Sequence, residues 1–303
     1  MRRTFLLIGA IYFFISAANA QGDLEKILSL DTTITSDKVF ATFKTTQIIN
    51  SQSIETVKAQ CLDFRIAHRF GSISTGIHQL YGFDNASDIR IGFDYGITDR
   101  LTVGFSRSRI EENLEGLIKY RLLLQTRNNK VPVSITIFAN AAITPKQDNT
   151  ITPEYAGDYA AFSHRMSYCY QALIAHKFSS AFSLQIMPSL VHRNFIQDPN
   201  DKNDILSIGA GGRLKFSKRA AILMDYYFNA RSAPYQSFNY DKNALFYNPL
   251  GIGFELETGG HVFTIMFSNS AGIIENEFIP YTTDSWFKKG FKFSFNISRS
   301  FFI

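Results

Sequence analysis

From Cys61 onward, apolar and polar residues alternate in short segments, the period of a pleated strand with two unlike faces. The last segment shows it plainly: Phe291, Phe293, Phe295 and Ile297 fall on one face, and Lys292, Ser294, Asn296 and Ser298 on the other. Helical spacing is nearly absent after Lys58. The pattern predicts twelve strands, over 61–70, 88–97, 100–110, 115–126, 131–143, 163–177, 181–193, 204–216, 219–229, 249–258, 260–270 and 289–302.

The predicted connections alternate in length. Tight ones fall at Thr98-Asp99, 127–130, Ser179-Ser180, Ser217-Lys218 and 258–260; longer ones span 71–87, 144–162, 194–203, 230–248 and 271–288. Only 111–114 is a short member of the long set. Tight turns at one end and long loops at the other, with an even strand number, are the signature of a transmembrane barrel. The expected fold is therefore all-β: a closed antiparallel transmembrane β-barrel of about 12 strands, with the barrel over 61–303.

The two faces call for two different media. One reads Leu62-Phe64-Ile66, Ile89-Ile91-Phe93-Tyr95, Leu101-Val103-Phe105, Val133-Ile135-Ile137, Leu184-Ile186 and Leu250-Ile252-Phe254-Leu256, as hydrocarbon requires of a wall with no open edge. The other carries the residues expected to line the lumen: Asp63, Arg65, Arg90, Asp94, Lys119, Arg121, Arg165, Gln171, Arg213, Asp225, Glu255 and Glu257. So many ions cannot line the dry core of a soluble sandwich, since each unpaired buried ion costs several kcal/mol. They suit a wetted or ion-paired lumen. Gly92, Gly96, Gly104, Gly209, Gly211, Gly251 and Gly253 share this face and leave room for long neighbours or a plug. The inward charge is mostly basic up to strand 204–216 and then acidic at Asp225, Glu255 and Glu257, which predicts lumen-crossing ion pairs or a transverse field.

The N-terminus fixes the expected compartment. Arg2 and Arg3 precede an apolar run from Phe5 to Ile15, and Ala18-Asn19-Ala20 follows, the form of a cleaved signal peptide over 1–20. The run is too short to span a bilayer, and no run of 18 apolar residues occurs anywhere, which excludes helical spanning. Removing Arg2 and Arg3 lowers the net charge from +5 to +3, so the basic balance is no sign of a nucleic-acid partner. The 29 Phe and 14 Tyr suit strands and membrane interfaces. The two cysteines, Cys61 and Cys169, fall on well-separated predicted strands, so no disulfide is expected.

Several stretches together resemble a family of bacterial outer-membrane β-barrel proteins classed as a domain of unknown function. They are Ala41-Thr42-Phe43-Lys44, His68-Arg69-Phe70-Gly71, Asp94-Tyr95-Gly96-Ile97-Thr98-Asp99-Arg100-Leu101, the 258–263 run TGGHVF, Ser268-Asn269-Ser270 and Phe295-Asn296-Ile297-Ser298-Arg299. The resemblance covers roughly residues 40 to 303. It implies the barrel and its location in the outer membrane, and brings no catalytic residues. The terminal Ser300-Phe301-Phe302-Ile303 resembles the strand that barrel-assembly machinery recognises, but ends in Ile rather than Phe.

Residues 21–60 fall outside the twelve-strand count. A short helix over Leu24–Leu30 and a strand-like Val39–Ile49 are expected in a periplasmic segment or lumenal plug. A plug would pair Lys44 with Asp225 or Glu255. His68, Arg69, Arg107, Arg109, His164 and Arg193 fall near the long-loop level and are expected to meet outer-membrane lipid, including lipopolysaccharide phosphate, for which arginine geometry is suited. Aromatic clusters in 230–248 and 271–288 read as a lid, a partner surface or simple mutual packing. No metal or other cofactor is expected, because the histidines lack ligand spacing. His261 and Ser268 stand seven residues apart on one strand, too far for a catalytic pair, so the chain is not expected to be an enzyme. The functional expectation is a narrow pore or binding barrel for a small polar or anionic solute. The alternatives are a closed structural barrel and a lipid-hydrolysing enzyme.

Overall fold

The computed structural model describes residues 37–146, 159, 161–196, 200–232, 235–237 and 245–303. The expected signal peptide, the helix over 24–30 and parts of the loops 144–162, 194–203 and 230–248 lie outside the described residues. Twelve antiparallel strands close a barrel: β1 (Cys61–Ser72), β2 (Ala86–Thr98), β3 (Leu101–Ser108), β4 (Leu114–Leu123), β5 (Ser134–Ile143), β6 (Met166–Lys177), β7 (Phe182–Arg193), β8 (Asp204–Lys215), β9 (Ala220–Asn229), β10 (Leu250–Thr258), β11 (His261–Ser268) and β12 (Lys292–Phe302). Each strand pairs with its sequence neighbours, and β12 returns to β1 with Ile66 opposite Ile297 and Asp63 opposite Ser300. Closure removes the unpaired strand edges that hydrocarbon cannot satisfy.

The two faces hold along nearly every strand. Ile91, Phe93, Phe105, Ile137, Ile186, Ile252 and Phe254 are exposed on the outer wall, while Asp63, Arg65, Arg90, Asp94 and Lys119 are buried within. Arg299 falls on the outer face near the short-turn end and lies over the Phe301 ring. The long connection between β11 and β12 contains a short helix, α1 (Glu275–Tyr281). Both cysteines are free.

Candidate functional site

Two inserts occupy the lumen, and most of its buried charged groups lie on them or against them. The first enters from the short-turn end. Residues 37–39 pair with the β4–β5 hairpin, Val39 N donating to Gln125 O and Arg127 N to Asp37 O. The chain then turns inward as a narrow hairpin: Ile48 N donates to Ser51 O, and Ser53 N to Thr46 O. Its tip reaches Asp225, midway along β9, whose carboxylate takes four hydrogen bonds at 2.7–2.8 Å from Asn50 N, Asn50 Nδ2, Ser51 N and Ser51 Oγ. Such a set satisfies an otherwise unpaired buried ion.

The wall grips the rest of the hairpin in the same way. Lys119 Nζ donates to the carbonyls of Thr46 and Ser53 at 2.7 and 3.0 Å. Arg65 donates to Thr46 Oγ1 and Gln47 Oε1. Gln185 Oε1 accepts from Ile54 N, and Thr136 Oγ1 donates to Ile54 O. Arg121 pairs with Glu55 at 3.3 Å. Lys44 pairs with Glu257, not with Asp225 or Glu255 as expected; Glu255 is already taken by Arg213 at 2.7 Å. Phe43, Ile48, Ile49 and Ile54 of the hairpin form an apolar cluster with Ala175, Leu223 and Met266.

The second insert enters from the long-loop end. Phe278 and Ile279 of α1 are fully buried among Leu117, Phe138, Cys169, Leu173, Met187, Val191, Ile205 and Tyr227. Phe278 and Tyr227 meet edge to face at 5.2 Å, the arrangement ring quadrupoles favour. Sequence reasoning placed Cys169 on the lumen side but missed the other wall residues, because they lie on the inward parity but are apolar. The same helix carries two buried carboxyl groups. Glu277 Oε1 lies 2.7 Å from Ser108 Oγ and accepts from Asn113 Nδ2 at 2.9 Å, and its other oxygen accepts from Ile273 N at 3.1 Å. Among the described residues, neither oxygen of Glu275 has a hydrogen-bond partner. Burial, then the charge of Glu115, pushes the Glu275 carboxyl up to about 8, and burial with Asp88 pushes Glu277 up as well.

A family described as a membrane bound beta barrel domain, DUF5777, matches residues 43–301. The chain belongs to this family. No curated protein matches it by sequence. Its fold is similar to that of the NanC porin, at 9% identity over 80% of this chain and 99% of that one, with a TM-score of 0.46. An outer membrane channel from Pseudomonas putida F1 is 14% identical over 82% of this chain and 98% of that one, TM-score 0.42. Outer membrane phospholipase A from Escherichia coli is 10% identical over 78% and 89%, TM-score 0.40. Likenesses this distant carry no inference about activity.

In this DUF5777 barrel some lumenal charges pair locally. Arg65 meets Asp63 at 3.2 Å, and Arg90 meets Glu115 at 2.8 Å. Between the expected basic and acidic walls lies the hairpin, bound by Lys119 and Arg121 on one side and by Asp225 and Glu257 on the other. Gln171 is inside, bonded to Ser189 and Tyr227. Arg165 is not on the lumen wall. It ends a single 3-10 turn before β6 and donates to the Thr144 and Lys146 carbonyls at the rim.

The proposed rim collar divides by parity, because adjacent strand residues face opposite media. His68 is on the outer wall, stacked on Phe295, whereas Arg69 is buried inside near Ser270 O. His192 pairs with Asp204 outside; Arg193 is buried, shares Asp201 with Arg231 and lies over Tyr281. Arg69 and Arg193 therefore cannot touch lipid phosphate. Arg107 and Arg109 are exposed at the rim, Arg107 paired with Glu112, and His164 lies beside Phe195. Ser268 is buried and donates to Asn50 Oδ1, while His261 starts the same strand at the opposite end of the barrel.

Proposed function

We propose that this is an outer-membrane barrel whose lumen is a closed passage for a small polar solute, zwitterionic or anionic, opened when the N-terminal hairpin withdraws. Its long loops face the exterior and its short turns the periplasm, following the asymmetry of such barrels. Exposed Arg107 and Arg109 would then meet lipid phosphates of the outer leaflet.

One observation carries the reading: the hairpin is the partner of opposite charges on opposite walls. Lys119 and Arg121 of β4 bind its carbonyls and Glu55. Asp225 of β9 and Glu257 of β10 bind its tip and Lys44. Strands β4 and β10 lie diametrically across the barrel. Withdrawal would uncover a basic wall facing an acidic one, a field that orients a dipolar solute. Withdrawal mainly breaks hydrogen bonds to charged groups that water can replace, at a net cost of about 1.5–3 kcal/mol each.

The apolar cluster of Phe43, Ile48, Ile49 and Ile54 favours a second reading, a permanently sealed structural barrel. Conductance in planar bilayers separates the two. The full chain is expected to be silent or to open briefly, and a chain lacking 37–57 to give steady, salt-dependent conductance. Arg121→Glu in the shortened barrel should lower its anion preference. A shortened barrel that folds and stays silent at every pH from ~6 to ~9 would leave only the structural reading.

A further inference from the structure

We propose that the buried acids around α1 form a proton-binding site whose ionisation frees α1 from the lumen, making this connection a pH-operated latch. The inference rests on the passage reading above and supplies its control at the long-loop end.

The buried charges around α1 do not balance. Asp88, Glu115, Glu275 and Glu277 are buried around its inner end, against Arg69 and Arg90, while lower in the lumen Asp63 and Asp94 are matched by Arg65 and Lys119. Four carboxyl groups face two cations, and the interior cannot hold two uncompensated negative charges without a cost of several kcal/mol each. Two protons resolve the excess.

Hydrogen-bond geometry locates them. Ser108 Oγ lies 2.7 Å from Glu277 Oε1 and 3.1 Å from both oxygens of Asp88. One hydroxyl hydrogen cannot serve two carboxylates, so one of the two carboxyl groups must itself donate. Asp88 Oδ1 already accepts from Ile89 N, Arg109 N and Ile110 N, and burial beside Asp88 holds Glu277 above its ordinary value, which makes Glu277 the carrier. Glu275, with both oxygens unpartnered among the described residues, is the second.

Among the described residues, no neighbour offers Glu275 a free cation. From β4 it faces Glu115 and Lys119, and from β2 Arg90, already paired with Glu115. From β6 and β9 it faces the uncharged Cys169 and Tyr227. On β1, Arg69 is shared among Asp88, Asp225 and Glu277. At the other end of α1, Arg193 of β7 lies over Tyr281, and Arg231 donates to Pro280 O. Both glutamates titrate above their ordinary 4.5, Glu275 at about 8. A raised folded-state value stabilises docking fully below 4.5. That stabilisation is lost progressively as pH rises through about 8.

Cys169 reports the position of α1, because it is fully buried in the cluster beneath Phe278. The test uses the full chain with Cys61→Ser, a water-soluble maleimide, and a second chain adding Glu275→Gln and Glu277→Gln. Comparing the two chains at one pH cancels the thiol's own chemistry. At pH ~9 the carboxylate chain should label at least about tenfold faster than the glutamine chain, and at pH ~6 both should be protected. Equal rates at pH ~9 would overturn the latch. If the glutamine chain fails to fold, amide exchange over 273–282 in the unaltered chain decides, referred to the intrinsic rate at each pH. Protection that does not fall about tenfold from pH ~6 to ~9 also overturns it. If the full chain labels on ionisation while the chain lacking 37–57 passes no current at pH ~9, the latch stands and the passage reading falls.

Discussion

Gly211 and Gly251 sit opposite Asp225 on the two neighbouring strands, so the hairpin tip rests in a bay with no side chains on either side. A Cβ at 251 would lie 2.5 Å from Ile49 Cγ2 and 2.8 Å from both Asn50 Nδ2 and Asp225 Oδ1. Three different neighbours cannot all be cleared by one rotamer change. Gly251→Val should therefore evict the tip and strip Asp225 of its donors, at a cost of about 1–3 kcal/mol from overpacking alone. Gly116 is the control, since nothing lies within 4 Å of its Cβ position, and Gly116→Ala should stay within about 0.5 kcal/mol. Denaturant unfolding in detergent reads the difference, and bilayer recordings should show Gly251→Val conducting like the chain without its hairpin. A silent Gly251→Val protein of unchanged stability would contradict the role given to the bay.

At the scale of elements, the strands were legible because hydrocarbon disfavours polar side chains on one face, so alternation holds along nearly every strand, with Arg299 an exception near the short-turn end. Strand 204–216 was expected and Asp204–Lys215 is observed; 181–193 became Phe182–Arg193. Parity reports which face a residue takes but not what it meets there. Leu117, Phe138, Met187 and Val191 sit on the inward face, yet nothing along their own strands announces a helix to receive them. That helix has seven residues and contains Pro280, too short and too interrupted to show a 3.6-residue period. Glu275 and Glu277 consequently read as ordinary loop acids, and the acid cluster was invisible. Phe278→Ala tests how far α1 depends on its apolar anchor. Removing a fully buried ring should weaken docking by about 3–5 kcal/mol, seen as faster amide exchange across 273–282 at pH ~6. Phe287→Ala, at a ring 72% exposed, should leave exchange unchanged. Equal effects would place the anchor elsewhere.

Across the whole molecule, the two inserts are joined by a line of hydroxyl groups. Ser268 Oγ donates to Asn50 Oδ1 at the hairpin tip and accepts from Ser270 N at 3.1 Å. Ser270 Oγ meets Thr282 Oγ1 at 2.8 Å, and Thr282 in turn donates to Phe278 O of α1. If each insert moved alone, loosening both would cost the sum of the two separate effects, within about 0.3–0.5 kcal/mol. The hydroxyl line predicts more than that. Asp225→Asn loosens the tip and Phe278→Ala loosens the helix, and their combined effect on unfolding should depart from additivity by about 0.5–3 kcal/mol. Repeating the cycle with Ser268→Ala removes the hydroxyl on which the line depends. Coupling should then fall to the additive limit. Non-additivity that persists without the Ser268 hydroxyl would mean the inserts sense one another through the barrel wall instead.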